Sequence, residues 1–135
     1  MGLRQLTKEE TRLIIQKKVD EYIRHKNESR IDKNDEERIK QDYLEPLFEY
    51  LGWEIHNSEE VKKEENVGRK EVDYAFKINN IIKFLLEAKA YNIDLDETKW
   101  LEQALNYGWN KGVTWSILSN FEKTYILNSD WKITG

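Results

Sequence analysis

The chain predicts a mixed α/β domain. Three observations carry that expectation. Two stretches with helical capping and apolar periodicity fill the first 52 residues. Two apolar, partly alternating runs, joined by Asn79-Asn80, lie in the middle. A third helical stretch and two more short strands follow. The expected order is α, α, β, β, β, α, β, β, the pattern of a sheet with helices packed on it.

The elements follow in chain order. Thr7 with Glu10 three residues on is a capping box, and Leu6 is placed for a hydrophobic staple. Leu13, Ile14, Val19, Tyr22 and Ile23 give the helix that follows a partly periodic apolar stripe, fading near Asn27. A second helix starts at Asn34 or Asp35, with acid in its first turn as the helix dipole favours. Its apolar face is Ile39, Tyr43, Leu47, Phe48 and Leu51, Pro46 is expected to kink it, and Gly52 to end it. Trp53-Glu54-Ile55-His56 reads as a short strand, and the polar segment 57–70 as a loop or an extension of the strands. Val72, Tyr74, Phe76 and Ile78 alternate with Asp73, Ala75 and Lys77 in a strand. Asn79-Asn80 tolerates positive φ and suits a tight hairpin turn. After the strand Ile81–Tyr91 and a polar turn, Asp96 or Thr98 is expected to cap a helix carrying Trp100, Leu101, Ala104, Leu105 and Tyr107, with Gly108 and Gly112 at its end. Val113–Ser119 and Thr124–Leu127 read as strands, and Trp131 as cover for a sheet edge.

Composition narrows the function. The 135 residues make one domain, with residues 1–33 a helical extension and 34–135 the core. There is no Cys, and the two His residues lack metal-ligand spacing, so disulfides and zinc centres are excluded. No uncharged apolar run reaches the roughly 20 residues that cross a bilayer, and Met1–Arg12 has no apolar signal core. A soluble, cytoplasmic protein with no membrane partner is expected. The net charge of −4 is unevenly spread: nine basic and eight acidic residues in 1–36, then 13 basic and 18 acidic. Excess acid fits a divalent-metal site better than a free-standing nucleic-acid clamp, which is usually basic.

The chemistry centres on IIKFLLEAKAY, residues 81–91. Glu87 and Lys89 are two apart on a strand, so they share a side. Charges beside a core are costly unless paired or bound to metal. Asp73, on the preceding strand, can stand near Glu87. Two carboxylates and a lysine on neighbouring strands suit Mg²⁺ with an amine beside it. Glu-x-Lys alone would be a weak signal; its combination with Asp73 and the apolar flanks is much stronger. Lys62, Lys63, Arg69 and Lys70, just ahead of Asp73, read either as a solvated mixed-charge loop or as phosphate contacts beside the metal.

Asp73 followed by Glu87-Ala88-Lys89 resembles the PD-(D/E)XK nuclease signature. Over roughly residues 34–128 the chain is similar to the N-terminal nuclease domain of type I restriction endonuclease R subunits and related fused restriction enzymes. EERIKQDYLEPLFEYLGW, GRKEVDYAF, LLEAKA, LEQALNY with its Gln-x-x-x-Tyr element, and WSILSN carry the likeness. The resemblance implies a restriction-endonuclease-like core, a central mixed β-sheet flanked by helices, with an extra N-terminal helix. It implies a Mg²⁺-dependent deoxyribonuclease of a restriction-modification or related defence system, with Mn²⁺ as a substitute. Asp73 and Glu87 would hold the ion with the backbone carbonyl of Ala88. Lys89 would assist the attacking water, Glu37 would support the metal or the water, and Gln103 and Tyr107 would brace the site or touch DNA. Implied partners are DNA, methylation or specificity subunits, a helicase motor domain, or further copies of the chain. The sequence departs from the family at Val72, where Pro is common, and at Ile39-Lys40, where Thr-Arg is usual. A non-catalytic DNA- or protein-docking module on the same fold is the rival expectation, and a purely structural assembly domain a third.

Overall fold

The computed structural model describes residues 6–131. It is an α/β structure built on one five-stranded sheet, ordered β1-β2-β3-β4-β5. The strands are β1 (Val61–Val67), β2 (Lys70–Ile78), β3 (Ile81–Ala88), β4 (Trp115–Ser119) and β5 (Thr124–Asn128). Neighbours run antiparallel except β3 and β4, which are parallel and joined through a helix, making the sheet mixed. Among the described residues no helix is long and apolar enough to cross a membrane.

Helices cover both faces. Helix α1 (Lys8–Asn27) opens with the Thr7–Glu10 capping box. A helix in three parts follows: α2 (Glu36–Ile39), a π-helical segment (Lys40–Leu44) and α3 (Glu45–Tyr50). Pro46 accounts for the π-helical segment. It has no N–H to give to Asp42, so the chain closes one turn wider, with the Glu45 N–H on the Lys40 carbonyl. These helices pack against Tyr74, Phe76, Leu86 and Ala88. Phe76 stacks on Phe84 with ring centres 4.4 Å apart, and Phe48 and Trp53 close around them. Helix α4 (Thr98–Lys111) covers the other face, over Ala75, Leu85 and Leu118. Gly112 ends it in the left-handed conformation.

The structure departs from the sequence reading in several elements. Residues 53–56 are not a strand: Trp53 and Ile55 serve the aromatic cluster from a turn. The first strand instead lies in the polar segment, as β1. It is an edge strand, needs only Val61 and Val67 buried, and can carry charge between them. Neither Asp96 nor Thr98 caps α4. Glu97 stands at the N-cap without a side-chain bond, and the Asp96 carboxylate is taken by Lys123 and Tyr125. Gly108 lies inside α4, where the helix approaches Ser116 and Ser129 too closely for a Cβ. The strand ends at Ala88, before Lys89. The reading of Trp131 as edge cover concerns a side chain outside those described.

Candidate active site

The β2–β3 hairpin builds the site. Asn79 and Asn80 both adopt positive φ, +53° and +65°, so the turn has the twist that antiparallel strands favour. Lys77 pairs with Ile82, but Phe76 pairs with Phe84, so Lys83 is an extra residue on β3. The bulge moves the register by one. Tyr74 then faces Leu86, and Asp73 comes opposite Glu87 on the same face.

The backbone holds this carboxylate pair in a reciprocal clasp. The Asp73 N–H donates to Glu87 Oε1 at 3.2 Å, and the Ala88 N–H donates to Asp73 Oδ2 at 2.7 Å. Glu87 is 7% exposed. Burial, and then the charge of Asp73, push its pKa up to about 8. Two lysines face the pair. Lys89 Nζ is 3.4 Å from Glu87 Oε2 and 4.3 Å from the Trp100 ring centre, so the indole holds the ammonium from the other side. Lys40 Nζ, on the π-helical segment, is 2.8 Å from Asp73 Oδ1 and 3.0 Å from Glu37 Oε1. Burial opposes the Lys40 charge, but its bonds to Asp73 and Glu37 raise its pKa overall.

Helix α4 closes the site. Trp100, Gln103 and Tyr107 recur at three- and four-residue steps and therefore share a face. The Tyr107 hydroxyl has its pKa raised to about 12 by burial and then by the charges of Glu87 and Asp73. Gln103 Oε1 and Trp100 Nε1 are buried without a hydrogen-bond partner among the described residues.

Of the residues picked from sequence, Asp73, Glu87, Ala88 and Lys89 come together, with Tyr107 beside them. Glu37 reaches the pair only through Lys40. Lys62 and Lys63 point elsewhere, to Glu65 and to Glu45. Arg69 and Lys70 sit at the β1–β2 turn and line a cleft of about 430 Å³ with Asn106, Tyr107 and Asn110. Two participants escaped notice in the sequence. Lys40 had a signal, its spacing of three and four from Glu37 and Glu36; Trp100 had one too, its step of three from Gln103.

The donor set fits a hard cation. Among the described residues no group of three or more Asp, Glu, His or Cys side chains is arranged to hold a metal ion. Two carboxylates on one face are nonetheless what Mg²⁺ commonly takes from a protein, the other positions going to water and substrate phosphate.

Fold and site thus define an α/β domain with a buried carboxylate pair and two lysines at the end of a mixed sheet. The chain is 34% identical, over 128 residues, to the type II restriction enzyme and methyltransferase RM.Eco57I of Escherichia coli. The match takes in 83% of this chain and 13% of that protein, making the chain a relative of a restriction-system enzyme over a small part of its length. No family model and no solved structure matches it.

Proposed function

We propose that the chain is a Mg²⁺-dependent DNA endonuclease domain of PD-(D/E)XK type, acting in the cytoplasm within a restriction-modification system. The observation that carries the reading is the clasped Asp73–Glu87 pair, buried with Lys89 beside it. Two carboxylates held side by side in a site that disfavours their charge invite a divalent cation. The restriction-enzyme relative supports the same reading.

Asp73, Glu87 and the Ala88 carbonyl would hold the ion. When bound, it neutralises charge at a scissile phosphate and acidifies a water. Lys89, steadied between Glu87 and Trp100, presents a positive charge where the phosphate gains negative charge. Tyr107 and Gln103 bound the site on the α4 side. Arg69 and Lys70, which line the neighbouring cleft, would take phosphates of the same DNA farther along. A methyltransferase partner, fused or separate, is part of this proposal because the relative carries one in its name.

The rival, a non-catalytic docking module, draws on one observation: Lys40 already neutralises Asp73, as it would in a closed structural network. Nicking of supercoiled plasmid in Mg²⁺ or Mn²⁺, beside Lys89→Ala, separates the two. Cutting by the wild type alone supports the nuclease. Mn²⁺ binding without cutting by either protein favours the docking module, and absence of both binding and cutting would falsify the metal-dependent reading.

A further inference from the structure

Lys40 has an unusual position for a lysine. It is 9% exposed, and its ammonium touches three carboxylates: Asp73 Oδ1 at 2.8 Å, Glu37 Oε1 at 3.0 Å and Glu36 Oε2 at 3.6 Å. The other oxygen of Asp73 is occupied by the Ala88 N–H. A site on each Asp73 oxygen is thus already taken, and a cation that joins the pair through Asp73 shares that carboxylate with the Lys40 ammonium. An ammonium and a divalent ion on one carboxylate repel each other.

We propose that Lys40 is a built-in counter-cation that guards the metal position, so that the divalent ion is taken up in exchange for its ammonium. Glu36 and Glu37 give the displaced ammonium somewhere to go. Both already lie against it, four and three residues before it in the chain, and its four-carbon stem can swing without moving the backbone. The π-helical segment accounts for the placement. It begins at Lys40, and its wider turn aims Lys40 at Asp73 while Tyr43 and Leu44 stay in the core. A lysine here keeps the carboxylate pair compact and charge-balanced when no metal is present, and sets a threshold that the metal must overcome. The inference rests on the metal-dependent reading of Asp73 and Glu87.

Calorimetric titration with Mn²⁺ alone, at one pH, tests it on the wild type, Lys40→Gln and Lys40→Met, with circular dichroism to show that each is folded. Loss of the competing charge is expected to tighten Mn²⁺ binding about tenfold in both variants, the size of an ordinary like-charge effect. Asp73→Asn is expected to abolish binding in either background. Unchanged or weaker binding in both Lys40 variants, with Mn²⁺ bound by the wild type, overturns the exchange and makes Lys40 a group that positions Asp73 for the ion. Mn²⁺ binding by none of the proteins overturns the metal reading, and the exchange with it.

Discussion

Replacing Glu87 by Gln is expected to stabilise the metal-free protein, and by an amount that depends on pH. Glu87 is buried beside Asp73, and its pKa stands near 8 rather than at the usual 4.5. A raised carboxyl pKa means that the folded protein binds the proton more tightly than the unfolded chain. Between pH 4.5 and 8 the native state keeps a proton that the unfolded chain has lost, so stability falls as pH rises through this window. Below it the carboxyl is neutral in both states, and no penalty is present. Above it the full penalty applies, on the order of 5 kcal/mol at roughly 1.4 kcal/mol per unit. Glutamine has the same shape and no proton to lose. Urea unfolding in EDTA from pH 5 to 9 measures the effect for both proteins. The two should be nearly equally stable at pH 5, and the variant should gain progressively up to about pH 8 and then level off. A stability difference that does not change with pH would refute the reasoning, because it would mean that Glu87 is not held in an environment hostile to its charge.

Three further outcomes follow from the same geometry. Trp100→Leu should slow plasmid nicking about tenfold, as removal of a cation–π contact worth roughly 1–2 kcal/mol implies, with Trp100→Phe restoring most of the rate; equal rates in the two variants would remove Trp100 from the positioning of Lys89. Gly108→Ala should cost about 1–3 kcal/mol in urea unfolding, because the new methyl falls 2.0 Å from the Ser129 hydroxyl oxygen and 2.6 Å from that of Ser116; Ser129→Gly in the same chain should recover part of the loss. Asn80→Ala should cost about 1 kcal/mol, since only the left-handed conformation closes this turn, and a thermal melt unchanged from wild type would contradict that.

Much of the fold was legible because its signals are local. Thr7 and Glu10 announce the first helix, Asn79-Asn80 the hairpin, and the Leu- and Ile-rich run before Glu87 the central strand. The edge strand β1 was not legible. VKKEENV buries only its two end residues, and its alternation is lost in charge. The strand expected at Trp53–His56 had the right composition, but Asn57 and Glu60 bond back to Glu54 and fold it into a turn. At the site, Asp73, Glu87 and Lys89 were readable as a motif. Lys40 was not, since its burial depends on a π-helical turn that a helical wheel of 3.6 residues does not contain. Lys62 and Lys63 read either as part of a solvated mixed-charge loop or as phosphate contacts, because they precede Asp73 in sequence; in space their partners are Glu65 and Glu45.

The extra residue at Lys83 makes the hairpin sensitive to where its length changes. Across a two-residue turn, directly opposed residues are separated by an odd number of positions, yet Asp73 and Glu87 are 14 apart, and the bulge supplies the difference. Deleting Lys83 itself would leave them 13 apart, the odd spacing of an unbulged hairpin, and still opposed; deleting one residue of β3 beyond the bulge would bring Ala88 opposite Asp73 and turn Glu87 toward the helices on the far side of the sheet. Deleting two there would return Glu87 to the right face, but opposite Ala75 rather than Asp73. Loss of Lys83 should therefore be tolerated where loss of a neighbouring β3 residue is not, and plasmid nicking by single-residue deletion variants along the hairpin would reveal that one permissive position.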